Sequence, residues 1–412
     1  MKVVLSPFKA DGEISAPPSK SFAHRYIIAA FLAGKKCAIH NVGFSEDVIS
    51  TVSAVRSLGG IVEKKGDTVI VSGKAPVRQA TVDCGESGST MRFLMPVAAA
   101  LGIEASFTGR GKLISRPVED ISAAIQGHGA TVFGHTVRGK LVCGVYRISG
   151  NLSSQFASGL LFALSALSGD SEIIFTGDRV SKGYIDITVS VLREFGVQIS
   201  ETGAGYKIKG GFNPPEKAFV EGDWSGAASP LAIGALCGRV AVKNLKYPSL
   251  QPDSAVLDIL CRFGAKASAE KDKITVEKGT LCGIDEIYCE NFPDIAQVIC
   301  SVAAFSSGTT RLTGVNRLKI KESDRIAAII NTLKTCGVRA EYDGVSLTVY
   351  GGAPKGGDFD GGKDHRTVMS AAVIAAAADG ISTITESEYC AKSYPSFFED
   401  IKLLGGKADV SI

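Results

Sequence analysis

Six times along the chain, a stretch with apolar residues at helical spacing runs into a glycine and then into residues that alternate apolar and polar. The copies read AVRSLGGIVEKKGDTVIVSG, AIQGHGATVFG, VLREFGVQIS, ILCRFGAKASAEKDKITVEKG, TLKTCGVRAEYDGVSLTVYG and DIKLLGGKADVSI. Their first shared glycines, Gly59, Gly129, Gly196, Gly264, Gly337 and Gly405, are separated by 70, 67, 68, 73 and 68 residues. A glycine closing an amphipathic pattern predicts a left-handed helix C-terminus. The alternation after it, as in Lys273-Ile274-Thr275-Val276-Glu277, predicts a strand with one apolar face. A second helical pattern precedes the copies: FASGLLFALSALSG, AASPLAIGALCG, IAQVICSVAAFSSG and VMSAAVIAAAADG. These carry few charges, so they are expected to be buried nearly all round.

Each repeat therefore holds two helices and several strands, with one helix inside. Three repeats per domain is the natural grouping, because three inner helices can pack around an axis and carry sheets outside. The midpoint falls in PPEKAFVEGDWSG, Pro214 to Gly226, which mixes prolines, charges and glycines as a hinge would, and it holds Trp224, the only tryptophan. A binding solenoid of six tandem α/β units is the alternative, disfavoured because solenoid repeats are usually shorter.

Composition narrows the function more than the fold. The 412 residues suffice for two or three domains with full cores. No apolar run reaches the roughly 18 residues of a membrane span, and the N-terminus lacks the apolar segment of a signal peptide. The ten cysteines form no CxxC and no cluster with zinc spacing, which fits small buried hydrophobes in a reduced compartment. The expectation is a cytoplasmic protein without metal. A net charge of +3, with aromatics at 7%, argues against nucleic-acid partners.

Charge is instead concentrated where helices begin. In PPSKSFAHR, Ser19 is the expected N-cap, which puts Lys20 and Ser21 in the first turn and Ser21 and Arg25 on one face. A helix N-terminus already attracts anions. CGESGSTMRFL adds Gly85, Gly88, Ser89, Thr90 and Arg92; GRGKLISRPVEDI puts Arg116 before Pro117 at a helix start. SGNLSSQFASG sets Ser153, Ser154 and Gln155 before an apolar helix, and RVSKGYIDITV places Ser181, Lys182 and Tyr184 before another. Later come Asp294 in ENFPDIAQV, Lys321, Glu322, Asp324 and Arg325 in RLKIKESDRIAAII, Asp364, His365 and Arg366 in GGKDHRTVMSAAV, and Lys392 in YCAKSYPSFFEDI. Any one of these could be a capped helix with solvated charges. Together, Lys20, Arg25, Arg92, Arg116, Lys321, Arg325, Arg366 and Lys392 are eight cations at helix starts in a chain of little net charge. Such a concentration calls for small, multiply anionic ligands. The few acids among them, chiefly Asp294 and Glu322, are candidate proton carriers.

These motifs, in this order, resemble the enolpyruvyl transferase family, from PPSKSFAHR through GESGSTMR, SRPVED, SSQF, SKGYIDIT, EGDWS, FPD, KESDR and DHR to AKSYPSFF. The resemblance implies an α/β fold of two similar domains, each of three βαβαββ repeats forming an inside-out α/β barrel, closing over their substrates. The boundaries expected are 14–220 for one domain and 1–13 plus 221–412 for the other, with hinges near 11–14 and 218–226. It implies that the enolpyruvyl group of phosphoenolpyruvate passes to the 5-hydroxyl of shikimate 3-phosphate, without cofactor, nucleic acid or membrane, in a monomer. Lys20, Ser21, Arg25, Ser153, Ser154, Gln155, Ser181, Tyr184, Asp294 and Lys321 would hold shikimate 3-phosphate. Lys20, Gly88, Arg92, Arg116, Gln155, Lys321, Arg325, Arg366 and Lys392 would cradle phosphoenolpyruvate. Asp294 and Glu322, with Lys20 and Lys321, would carry the catalysis.

Two departures stand out. The family's glycine-rich segment often reads GNAGTAMRP, whereas here Glu86 replaces the Asn and Phe93 follows Arg92 in place of Pro. Within the family, the branch acting on UDP-N-acetylglucosamine carries a cysteine or aspartate in the loop before RPV; GRGKLIS contains neither. A rival from another class is a phosphate-binding scaffold or a relative that modifies RNA ends.

Overall fold

The computed structural model describes residues 1–115, 118–151, 153–177 and 182–411. All six repeat glycines have positive φ, between 79° and 112°, which is the left-handed helix end expected of them. Two constraints act there, and they separate. A Cβ on Gly264 would overlap the Thr280 carbonyl, whereas at Gly337 it would meet nothing within 4 Å. Gly337→Ala is therefore expected to cost about 1 kcal/mol, from left-handed backbone strain alone. Gly264→Ala should cost distinctly more, and urea unfolding of the two variants checks the order.

Six four-stranded sheets are found among the described residues, all with one pairing pattern. In the sheet made of Val145–Ser149, Asp170–Thr176, Gly205–Lys209 and Gln198–Glu201, the first pair is parallel and the next two antiparallel. The sheet of Ala10–Ser15, Gly238–Lys243, Lys273–Glu277 and Lys266–Glu270 repeats that order. In four of these sheets the parallel pair is joined through the apolar helix. In the other two, which pair Lys217–Phe219 with Cys37–His40 and Ala10–Ser15 with Gly238–Lys243, the apolar helix directly precedes one strand of the pair. Trp224–Cys237 is buried along all but its last residue, and all of Ala296–Ala303 is buried. The corresponding helices elsewhere are Lys20–Ala33, Gly88–Leu101, Ser154–Ser165 and His365–Ala377. The second helix of each repeat, such as Ala255–Phe263, is amphipathic, with Val256, Leu257, Ile259, Leu260 and Phe263 inward.

The chain divides into two units, residues 18–221 and residues 1–17 with 222–412, each with its own apolar core. The first crossing comes at Pro17–Pro18, later than the expected 11–14. The reason is register: Ala10–Ser15 pairs along its whole length with Gly238–Lys243, so the chain cannot leave that unit earlier. Lys2–Leu5 likewise lies between Ser382–Thr385 and Ala408–Ser411. Two sheets of the C-terminal unit thus depend on the first fifteen residues. Trp224 lies two residues past the second crossing; it is fully buried, and its indole N–H donates to Lys246 O at 3.1 Å. No helix among the described residues is long and apolar enough to cross a membrane.

Candidate functional site

In the unit of residues 18–221, Ser19 caps the Lys20–Ala33 helix, its hydroxyl accepting from Phe22 N, so Lys20 opens the helix. The Lys20 ammonium pairs with Asp47 Oδ2 at 2.8 Å. Asp47 lies in the first turn of Glu46–Ser57 and is nearly buried. Arg25 is buried one turn on from Ser21 and donates to Ser21 O (2.7 Å), Tyr184 O (2.9 Å) and Thr188 Oγ1 (2.7 Å). That set joins Ser21 and Arg25, one turn apart, to Tyr184, which lies 159 residues from Arg25. Burial pulls the Arg25 guanidinium below its ordinary pKa, with Tyr184 opposing. The Phe93 ring lies 5.0 Å from the Arg25 guanidinium carbon, so the residue that replaces the family's proline supplies a cation–π face.

A second group forms on the neighbouring helix starts. Ser87 caps Gly88–Leu101 and Ser153 caps Ser154–Ser165. Arg92 donates to Gln155 Oε1 at 2.6 Å, and Gln155 Nε2 donates to Ser89 Oγ at 2.9 Å, which ties the two starts together. Glu86 lies against the following loop, its Oε1 2.7 Å from where a Cβ on Gly111 would stand. Of the sequence-derived candidates, Arg116 and Ser181 lie outside the described residues. Pro117 lies outside them too, and the helix that follows spans Glu119–Ile125.

In the other unit, Arg325 is the organising cation. Its guanidinium is buried and every nitrogen is engaged: Nε with Asp364 Oδ2 (2.9 Å), Nη1 with Asp294 Oδ1 (2.8 Å) and Nη2 with Glu322 Oε2 (2.9 Å). Lys321 Nζ approaches the same Asp294 oxygen at 3.4 Å. Both candidate proton carriers thus rest on one guanidinium. Burial raises the Asp294 pKa, but Lys321, Arg325 and Arg366 outweigh it and hold the carboxyl well below the usual range. Burial lowers the Lys321 ammonium, with Asp294 opposing. Burial would lower Arg325 too, yet Asp364, Glu322 and Asp294 leave it raised.

Arg366 is buried in the first turn of His365–Ala377 and donates from Nη1 to Ser225 O at 2.7 Å. Among the described residues its Nε finds no hydrogen-bond partner, leaving a buried cationic donor unused. Lys392, also buried, ends the short helix Ser387–Lys392. Lys321 and Lys392 therefore precede their α-helices by several residues, whereas Lys20 and Arg325 open theirs.

The sequence singles out Asp364 before its helix but not Asp47, and both hold cations here. Asp47 pairs with Lys20, and Asp364 caps its helix through Arg366 N while bonding Arg325 and Ser323. Asp364 had a signal, since an acid directly before an apolar helix is an N-cap, and caps at a cation cluster also anchor cations. Asp47 had none, because its meeting with Lys20 depends on how two helices pack. Among the described residues, no group of three His, Cys, Asp or Glu is arranged to hold a metal ion.

Repeated α/β units carrying cations and paired acids at helix starts define an enzyme for small, multiply charged anions. A family model described as EPSP synthase (3-phosphoshikimate 1-carboxyvinyltransferase) matches residues 6–401. The 3-phosphoshikimate 1-carboxyvinyltransferase of Clostridium kluyveri is 40% identical over 99% of this chain and 98% of its own length. That of Clostridioides difficile is 38% identical, covering 98% of each. A solved structure of EPSP synthase from Acinetobacter baumannii superposes with a TM-score of 0.84 at 25% identity, over 99% of this chain and 100% of that one. The chain belongs to the EPSP synthase family. It is a transferase of aromatic amino acid biosynthesis by the shikimate pathway.

Proposed function

We propose the following division of labour for the family's reaction, transfer of the carboxyvinyl group of phosphoenolpyruvate to the 5-hydroxyl of shikimate 3-phosphate with release of phosphate. Lys20, Gly88, Arg92, Gln155, Lys321, Arg325, Arg366 and Lys392 hold phosphoenolpyruvate, which carries about three negative charges. Lys20, Ser21, Arg25, Ser153, Ser154, Gln155, Tyr184, Asp294 and Lys321 hold shikimate 3-phosphate. Protonation of the phosphoenolpyruvate CH2, with Glu322 helping to deliver the proton, makes C2 electrophilic. The 5-hydroxyl attacks C2 while Asp294 takes its proton. Loss of phosphate and of one methyl proton from the tetrahedral adduct restores the vinyl group, now on the 5-oxygen.

The observation that carries this reading is the sharing of Arg325 and Lys321 by Asp294, with Glu322 on the same guanidinium. Asp294 so held is ionised but a weak base. An anion drawn to those cations offsets their field, which raises the Asp294 pKa toward useful basicity when substrate is bound. The unused Arg366 donor, buried with a fixed first bond, suits a carboxylate or phosphate oxygen. Every group invoked belongs to one chain, so a monomer suffices.

The test mixes the protein with phosphoenolpyruvate and shikimate 3-phosphate, with UDP-N-acetylglucosamine in parallel, and follows released phosphate. Release with shikimate 3-phosphate alone, abolished in Lys20→Ala, is expected. Release with the UDP-sugar alone, or undiminished release by Lys20→Ala, would overturn the reading.

A further inference from the structure

A line of polar side chains runs through the core of the 18–221 unit, behind the residues assigned to substrate. His24, Thr51, Ser87 and Thr90 are each at most 1% exposed. His24 Nδ1 lies 2.6 Å from Thr51 Oγ1, Thr51 Oγ1 lies 2.6 Å from Thr90 Oγ1, and Thr90 Oγ1 donates to Ser87 Oγ at 2.7 Å. The members sit on Lys20–Ala33, on Glu46–Ser57 and at the start of Gly88–Leu101, so one chain of bonds crosses three helices.

Its direction can be worked out. A threonine hydroxyl has one proton. Thr90 gives its proton to Ser87, so Thr51 must give its own to Thr90, a far shorter contact than the 3.4 Å to Asp47 O. His24 then donates from Nδ1–H, and Nε2 carries the lone pair; among the described residues Nε2 has no hydrogen-bond partner. The imidazole is neutral: burial is the main cause, Asp47 opposes, Lys20 and Arg25 add to it, and the pKa falls to about 3.

What the chain aligns is specific. His24 is one turn beyond Lys20, and Thr51 is one turn beyond Asp47. The His24–Thr51 bond and the Lys20–Asp47 ion pair are therefore successive rungs between the same two helices. Thr90 and Ser87 extend the ladder to the turn that presents Gly88 and, one turn on, Arg92. Apolar packing alone tolerates sliding of helices, whereas directional bonds of fixed length do not.

We infer that His24, Thr51, Thr90 and Ser87 are positioning residues, a directional hydrogen-bond chain that fixes the Lys20 ammonium relative to the Gly88–Arg92 turn. The inference rests on the reading that both handle phosphoenolpyruvate. Misplacing a binding or catalytic group by a fraction of an ångström to an ångström costs roughly ten- to a hundredfold in rate.

The experiment compares Thr51→Val, which removes the hydroxyl but keeps the shape, with Thr51→Ser, which keeps the hydroxyl. Both are assayed well below their melting temperatures, with kcat and the KM for phosphoenolpyruvate measured separately. Thr51→Val is expected to lose about tenfold or more in kcat/KM, and Thr51→Ser to retain most of it. A folded Thr51→Val with wild-type kcat and KM would overturn the inference. If Thr51→Val does not fold, Thr90→Val breaks the same chain one bond further on and is judged by the same criterion. Nitrogen-15 NMR of the wild-type imidazoles gives an activity-independent check: an Nδ1–H tautomer for His24 is expected, and an Nε2–H tautomer would overturn the chain. Lys20→Ala separates the two failures, since an active Lys20→Ala sinks the substrate reading, whereas an inactive one beside an unimpaired Thr51→Val sinks only the positioning chain.

Discussion

Asp294→Asn is expected to lower kcat by about two to four orders of magnitude, the range for loss of a general base. The change is nearly isosteric and keeps an oxygen for Arg325, so the protein should fold normally. The substituted amide cannot take the proton of the attacking hydroxyl, and it removes the negative charge beside Lys321 and Arg325. Those cations then face phosphoenolpyruvate with no competing carboxylate at that position. Its KM should therefore stay level or fall while kcat collapses, and steady-state phosphate release checks both at once. A parallel fall of kcat and rise of KM would instead mean that Asp294 mainly holds substrate.

Arg325→Met is expected to be the most damaging single change to stability, on the order of 3–5 kcal/mol. It leaves Asp364 fully buried without its main cation and deprives Asp294 and Glu322 of their shared partner. The pH dependence follows from the direction of the shifts. In the wild type burial raises the Asp364 pKa, but Arg325, with His365, outweighs it and leaves the carboxyl lowered. A depressed carboxyl contributes stability above its unfolded pKa of about 4, and that contribution is lost as pH falls through the folded value. Without Arg325, burial dominates and the folded pKa rises above the unfolded one, so the charged form becomes a penalty that grows as pH climbs past about 4. The deficit of Arg325→Met should thus be largest near neutrality and shrink toward pH 4. Urea unfolding of both proteins across that range measures it; a deficit independent of pH would mean that lost packing, not unpaired charge, sets the cost. Activity should fall as well, because both proton carriers lose the group that orients them.

The two variants probe one cluster from opposite ends. Asp294→Asn removes a reacting group and leaves its support; Arg325→Met removes the support and leaves the reacting groups. If both effects appear as expected, the KESDR segment is at once a catalytic element and a structural one. That combination explains why a charge run, usually solvated, carries a buried arginine here.

Periodicity is local, and it was legible in the sequence. The glycine spacing, the alternating strands after each glycine and the inner helices, which carry few charges beyond their first turns, follow from backbone sterics and from the cost of burying charge, and both act within a few residues. Ser19 as a cap and the glycine-rich turn before Arg92 were readable for the same reason. What the tertiary structure decided is which groups meet. Asp47 reaches Lys20 across 27 residues, Arg25 reaches Thr188 across 163, and Arg325 reaches Asp364 across 39. No pattern within a helix specifies such partners, because they depend on how separate helices pack, whether within one repeat or between repeats. The same holds for the first crossing: the family resemblance implies a hinge near 11–14, yet pairing of Ala10–Ser15 with Gly238–Lys243 makes those residues part of a sheet. Sequence sets which positions carry charge and where helices begin; only packing determines whether a given charge meets solvent, substrate or another charge.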